Sequence, residues 1–290
     1  DLQGAALAAL MDDDGVQRAV LLVEEGNYGT SLGQKIQSEA LAYYDYSAEL
    51  KPYDRDSLQD LTEKLGQIEQ MDVDAVAFVS ANKDHTAHVL QTITTAQQAG
   101  CASSSPCPFG EGGARIYLAD GAKDESIFQG VDDVDEIVGR IKGTSPGHAK
   151  GDVYVSFADT LDAEFGDGFA ESTAFTAHAY DAAWLVIYGV TWAHYNETQV
   201  DGTGIARGLR QVSKKSADEV INIGRNAWST VRARFNERQG IDVRGASGDL
   251  DYDPTTGETS ADIETWCVET DGDQVSFGVA DGFDGCWLTD

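Results

Sequence analysis

Residues 29–33, Gly-Thr-Ser-Leu-Gly, match the G-x-S-x-G pattern that presents a nucleophilic serine on a sharp strand-to-helix turn. They lie inside LLVEEGNYGTSLGQKI, residues 21–36: an apolar run of strand character, two glutamates, a Gly-Asn-Tyr-Gly turn and the start of a helix. The spacing is wrong for a nucleophile. The elbow needs its serine directly between strand and helix, yet residues 26–30 separate Glu25 from Ser31. Only 30 residues precede Ser31, too few for the earlier strand–loop unit that supplies the second oxyanion donor. A second match, Gly143-Thr-Ser145-Pro-Gly147, has no helical pattern after it. The sequence therefore argues against an α/β hydrolase, and no other nucleophile or acid–base set converges to support an enzyme. Neither G-x-x-x-x-G-K-[ST] nor G-x-G-x-x-G occurs, so the glycines are not read as a phosphate cradle.

Other residue types could do different chemistry. Asp84, His85 and His88 are spaced to share one helical face, which suits a metal or, more simply, a solvated helix start with Asp84 as its cap. Asp249, Asp251 and Asp253, followed by Glu258, resemble calcium loops, but Pro254 stands where an EF-hand requires glycine, and an acidic turn is the simpler reading. No metal or cofactor is expected. Asn196-Glu-Thr198 is a glycosylation sequon only in a eukaryotic cell. The remaining candidates are defined by position: Asn27-Tyr28-Gly29, Ser80-Ala81-Asn82 and Asp120-Gly121 each follow a strand-like run. In open α/β sheets ligands sit beyond the carboxyl ends of the strands. There Tyr28 can pack on or hydrogen-bond to a ligand and Asp120 can pair with an amine, although such residues also serve as caps and turns.

The elements that would position these groups alternate. Strands are predicted at Arg18–Glu25, Tyr46–Pro52, Asp74–Ser80 and Arg115–Asp120, with helices at Ser31–Tyr44, Asp56–Met71 and Asp84–Gln98 between them. Such alternation means βαβ units and a mostly parallel sheet. The second half is richer in helix, at Ser156–Phe165, Ala174–His194, Thr203–Ser213 and Asn226–Gln239, with strands at Glu136–Gly143, Asp262–Glu269 and Gln274–Val279. The helix around Tyr180 is apolar on most faces and is expected to be buried.

Fifty acidic against 20 basic residues give a formal charge of −30, which excludes nucleic acid and anionic membrane surfaces as partners and suits salty surroundings. The longest apolar runs are too short to span a bilayer, and the N-terminus lacks the pattern of a signal peptide. Four cysteines form two local pairs, Cys101 with Cys107 and Cys267 with Cys286, without a C-x-x-C. Two disulfides in an exported protein, or four free thiols in a cytosolic one, are the alternatives.

In their order, these pieces resemble the type I periplasmic solute-binding proteins, in particular the branched-chain amino acid group. RAVLLVEEGNYGTSL (18–32) resembles that family's strand and "YG" turn opening a helix. DVDAVAFVSA (72–81) resembles the next strand and its binding loop, and RIYLADGA (115–122) the strand whose acidic end meets the ligand amine. AYDAAWLV (179–186) resembles the "YDA" helix, and GASGDLDYDPTTGE (245–258) the late loop before a strand containing a tryptophan.

The resemblance implies an α/β protein of two Rossmann-like lobes with mostly parallel sheets. Residues 1–143 would form the ligand-binding lobe, 144–260 a helix-rich remainder of the other lobe, and 261–290 strands returning to the first. The DLQGAALAAL start is similar to the family's helix before the second lobe, which implies that the other lobe is incomplete. The implied function is extracytoplasmic binding of a small polar ligand such as an amino acid, in a cleft between lobes, for an ABC importer with its permease. A receptor's ligand-sensing domain is the alternative; the location is periplasmic or cell-surface. The resemblance implies ligand contacts from Tyr28, Ser80, Ala81, Asn82, Asp120 and Phe175. Asp120 would pair with the α-amine. Ala81 replaces a common aromatic contact, and Phe175 lies near a cleft aromatic.

The disulfide reading is open to direct test. Bridging loops of this length stabilises by about 2–3 kcal/mol each. Thiol titration of the unfolded, unreduced protein is expected to find no free thiol; four would refute both pairings.

Overall fold

Strand β1 (Arg18–Glu24) is buried along all but its first residue, and β3 (Ala75–Val79) along its whole length. Burial on both faces is what a central parallel strand requires. Alternate side chains go to opposite sides. Leu21 and Val23 pack with Leu7, Leu10 and Met11 of α1 (Leu2–Asp13) and with Leu32 and Ile36 of α2 (Asn27–Tyr43). Val20 and Leu22 pack with Leu61, Leu65 and Ile68 of α3 (Leu58–Ile68) and with Val89, Leu90 and Ile93 of α4 (Lys83–Ala99). The computed structural model describes residues 2–100, 106–147, 149, 151–214, 219–253, 255, 257, 259, 262–271 and 274–279.

The remaining strands of this sheet are β2 (Ser47–Tyr53), β4 (Arg115–Leu118), β5 (Ile141–Pro146), β8 (Ile263–Asp271) and β9 (Gln274–Val279), in the order β2-β1-β3-β4-β5-β8-β9. The first five are parallel, in registers such as Val23↔Val79 and Phe78↔Leu118. The last two run antiparallel, with Pro146 opposite Ile263. The strand expected at Glu136–Gly143 begins later. Val134–Glu136 and Val138–Arg140 form 3-10 turns after Asp133, which holds a left-handed φ of 52°. Pairing starts only at Ile141, opposite Ile116.

The chain divides into two compact units, Asp1–Pro146 with Ile263–Asp290, and Gly147–Asp262. It passes between them at residues 146/147 and 262/263, where the Gly147 amide donates to the Asp262 carbonyl at 2.8 Å.

The second unit is built on α5 (Asp152–Phe165), α6 (Phe169–Ser172), α7 (Thr176–Asn196), α8 (Gly202–Leu209) and α9 (Trp228–Asn236). It also holds two strands that the sequence pattern did not reveal, β6 (Val220–Asn222) and β7 (Asp242–Arg244), paired in parallel. Their three-residue length is too short for an alternation signal. Its core gathers Phe157, Leu185, Tyr188, Val231, Phe235, Ile221 and Val243. Asp181 of α7 is buried and accepts from the Ala246 and Ser247 amides at 2.8 and 2.7 Å and from the Ser247 hydroxyl at 2.6 Å, fixing the loop after β7. A Cβ on Gly245 would lie 2.1 Å from the Asp181 carboxylate, so only glycine fits. Contrary to the expectation of burial, α7 is covered on one face only: Val186 and Ile187 are 52% and 41% exposed.

Among the described residues no cysteine is a free thiol. Cys101 and Cys286, the partners assigned from sequence, lie outside the described residues, as does Glu258 of the acidic loop. No described helix is long and apolar enough to cross a membrane.

One buried charge pair ties the first helix to the sheet. Lys142 of β5 has no exposed side-chain surface and its Nζ lies 2.7 Å from Asp14 Oδ1, while the Tyr117 hydroxyl donates to Asp14 Oδ2 at 2.8 Å. Such a pair adds little net stability, but removing one partner leaves a buried charge. Lys142→Met is expected to lower the unfolding free energy by about 3–5 kcal/mol in urea denaturation; a much smaller loss would mean that water reaches Asp14.

Candidate ligand-binding site at the strand ends

In the order β2-β1-β3-β4, the connection leaving β1 runs to β2 on one side while the connection leaving β3 runs to β4 on the other, and a crevice forms where such connections diverge. The segments lining it follow β1, β3 and β4. After β1, helix α2 starts at Asn27, and a Cβ on Gly29 would lie 2.2 Å from the Glu24 carbonyl oxygen, so this turn exists only with glycine. After β4, a Cβ on Gly121 would lie 2.8 Å from the Ser80 carbonyl oxygen and 3.1 Å from Ala81 Cα. Glycine at these two positions lets the three strand ends converge.

The convergence produces two polar systems. In the first, the Tyr28 hydroxyl donates to Asp120 Oδ1, which also accepts from the Gly121 amide at 3.0 Å. Asp120 Oδ2 takes no hydrogen bond among the described residues. Burial, and then the adjacent Asp120 charge, push the Tyr28 phenol far above the ordinary tyrosine range. In the second, the buried Ser80 hydroxyl donates to Glu24 Oε2 at 2.5 Å and accepts from the Tyr53 hydroxyl and the Asn82 amide, both at 3.0 Å. With the Tyr53 proton given to Ser80, the 3.2 Å contact to His85 Nδ1 is satisfied when that nitrogen carries a proton. Burial pushes the Tyr53 phenol up to about 12.

The residues picked from sequence thus separate. Tyr28, Ser80, Ala81, Asn82 and Asp120 come together in the first unit. The Ser80 hydroxyl is fully engaged inward and buttresses the loop, leaving Ala81 exposed at its tip. Asn82, not Asp84, caps α4, its side chain accepting from the Asp84 and His85 amides. Phe175 belongs to the second unit, at the start of α7, with a left-handed φ of 66° and 42% exposed.

Ser31 lies in the first turn of α2, its hydroxyl bonded back to the carbonyls of Asn27 and Tyr28, as a helical serine rather than an elbow. Ser145 donates to Glu264 inside the sheet. His85 reaches Tyr53 while His88 pairs with Thr62, and no cluster able to hold a metal occurs among the described residues. Glu24 and Tyr53 escaped sequence reasoning. A carboxylate ending a buried strand was the available signal for Glu24; Tyr53 joins only through tertiary contact.

A cleft of about 130 Å³, lined by Gln3, Tyr28, Ser31, Leu32 and Lys35, opens beside Tyr28. A larger one, about 600 Å³, lies at the opposite ends of the strands around Arg115 and Arg140. Every N–H of Arg140 is already taken there, by the carbonyls of Pro108, Gly110 and Ala114 and by Gln97, so it has no donor left for a ligand.

Solved structures share this fold. A leucine-binding protein from Thermotoga maritima superposes with a TM-score of 0.63 at 18% identity, covering 96% of this chain and 64% of its own. The fold is that of the type 1 periplasmic binding proteins. A solute-binding protein of an R. palustris ABC transporter, in complex with 4-hydroxybenzoate, gives 0.65 at 13% identity over 96% of this chain and 63% of its own. A fatty acid ABC transporter substrate-binding protein from Thermomonospora curvata gives 0.58 at 13% identity over 93% and 59%. The chain spans less than two thirds of the length of these proteins. No family model matches the sequence, and comparison with curated proteins finds no match.

The buried phenols make stability depend on alkaline pH. Tyr28, Tyr46, Tyr53 and Tyr117 are all raised, burial being the leading cause. Unfolded tyrosines lose protons near pH 10 while the folded ones keep them, so stability is full below about pH 10 and falls as pH rises through the folded values. Urea midpoints are expected to drop between pH 9 and 12, less steeply in Asp120→Asn, where Tyr28 loses its negative neighbour. A flat profile would show these phenols to be solvated.

Proposed function

We propose that this chain belongs to an extracytoplasmic solute-binding protein of an ABC importer, with the strand-end site of its first unit contacting a small polar ligand such as an amino acid. The observation that carries this reading is the Tyr28–Asp120 pair at the strand ends where the connections leaving β1 and β3 diverge. A carboxylate with one oxygen positioned by a phenol and a backbone amide has its other oxygen available to an ammonium group. The leucine-binding protein of similar fold supports an amino acid; the neighbours named for a fatty acid and 4-hydroxybenzoate mark the wider range that the fold serves.

In this reading residues 1–146 and 263–290 are the lobe that holds the amine end of the ligand, 147–262 belong to the other lobe, and Phe175 contributes from there. The ligand contacts are Tyr28, Ala81, Asn82 and Asp120, with Ser80 supporting them. Export to the periplasm or cell surface accords with the pairings Cys101–Cys107 and Cys267–Cys286. A ligand-sensing domain is the second reading, favoured by an extracellular ligand-binding receptor from Rhodopseudomonas palustris at a TM-score of 0.64 and 11% identity. A membrane span or kinase segment in the complete gene would select it. Binding without catalysis is proposed in both; turnover abolished by Ser31→Ala would overturn that.

The test is calorimetry on the gene-encoded protein with a panel of amino acids. Asp120→Ala is expected to weaken binding by about 2–5 kcal/mol, the range for stranding one partner of a buried charge pair. Tyr28→Ala should cost about 1–3 kcal/mol through lost packing and one hydrogen bond, and Ser31→Ala little. Parent-like affinity in Asp120→Ala would remove the amino-acid reading.

A further inference from the structure

The turn that carries Asp120 is tied on two sides. Residues Asp120–Ala122 form one 3-10 turn, closed by the Ala122 amide on the Ala119 carbonyl at 3.0 Å and the Lys123 amide on the Asp120 carbonyl at 3.1 Å. Just after it, the Asp124 carboxylate pairs with Lys83 at the start of α4 and accepts from the Ser126 amide at 2.8 Å. The Lys123 ammonium pairs instead with Glu264 of β8, and only 3% of the Lys123 side chain and 15% of that of Glu264 are exposed. Glu264 Oε1 also accepts from the Ser145 hydroxyl of β5 at 2.9 Å.

Ser145 and Glu264 are opposite each other in the β5–β8 ladder, one pair before Pro146 and Ile263, where the chain passes between its two units. Lys123 therefore links the Asp120 turn to the strand pair at the crossover. A buried ion pair adds little net stability, because desolvation offsets the attraction, and apolar side chains of similar volume hold a fold as well. What the charges add here is position. A buried ammonium has one low-energy place, against its carboxylate, and that place fixes residue 123 three residues after Asp120. The Gly121 amide of the same turn donates to Asp120 Oδ1 at 3.0 Å, so the carboxylate follows the turn.

We propose that Lys123 and Glu264 are positioning residues of the strand-end site: they hold the Asp120 carboxylate where it meets a ligand's ammonium group, and they make its placement depend on the β5–β8 ladder beside the crossover. A binding group is only as precise as the groups that support it. Ser80 supports the loop after β3 from inside the sheet, and the Lys123–Glu264 pair does the same for the turn after β4. The ligand part of the proposal rests on the reading of Asp120 as the amine contact.

The test uses the protein as its gene encodes it, with Lys123→Met and Glu264→Met combined so that neither charge is stranded. The urea midpoint is expected to stay near that of the parent, while the Gly121 and Ala122 amides lose protection from hydrogen exchange. In calorimetry, the dissociation constant of the amino acid that binds the parent most tightly is expected to rise about ten-fold, the low end of the range for removing a group that orients a metal ligand. Lys142→Met, which breaks the buried pair with Asp14 in the same sheet, should lower the midpoint and leave the Gly121 and Ala122 amides and the binding unchanged. Should the double variant fail to fold, Glu264→Gln replaces it, keeping the side-chain shape and the acceptor for Ser145. Parent-like protection and affinity in the double variant would overturn the proposal, as would the same losses in Lys142→Met. If no amino acid binds the parent, the amino-acid reading falls, and exchange at Gly121 and Ala122 alone decides whether Lys123 and Glu264 position the turn.

Discussion

A parallel strand buried on both faces can send its helical connections to either side, and the placement of β1 beside both β2 and β3 organises the first unit. Because β1 is buried from Ala19 onward, α1 and α2 must cover one face and α3 and α4 the other. The connection leaving β1 runs to β2 and the one leaving β3 runs the other way to β4, so the carboxyl ends of β1, β3 and β4 are left around a crevice. Gly29 and Gly121 are consequences of that geometry: the backbone approaches they permit are shorter than any Cβ would allow.

The same burial determines the chemistry at the strand ends. Glu24 ends a strand whose neighbours exclude water, so its carboxylate needs a donor, which Ser80 provides. Ser80 in turn is held by Tyr53 and the Asn82 amide, and Tyr53 by His85. A polar chain of this kind is stable because each member is satisfied. It uses the buried Ser80 hydroxyl as support and leaves the Tyr28–Asp120 pair the more accessible of the two systems. The negative field of the whole chain favours approach of a cation to that pair.

The second unit obeys the same covering rule and satisfies it only in part. Asp181 closes the loop after β7 and the aromatic set around Tyr188 packs against α9, yet α7 keeps an apolar face in solvent and the β6–β7 sheet keeps an open one.

Much of this was legible along the chain. The apolar runs at Arg18, Asp74 and Arg115 and the helical stripe at Leu58, Leu61, Leu65 and Ile68 specified alternating strands and helices, because hydrophobic period is a local property. Spacing alone also removed Ser31 as a nucleophile, and strand-end position singled out Tyr28 and Asp120. The tertiary structure decided the rest. It set the delayed start of β5, where pairing with Ile116 outweighs the apolar run before it, and the existence of β6 and β7, too short to leave a pattern. It assigned Ser80 to an inward role and brought in Glu24, Tyr53 and His85. These outcomes depend on which backbone comes within hydrogen-bonding distance of which. That is fixed by packing between segments far apart in the chain, such as Tyr28 and Asp120, 92 residues apart, and local spacing carries no record of it.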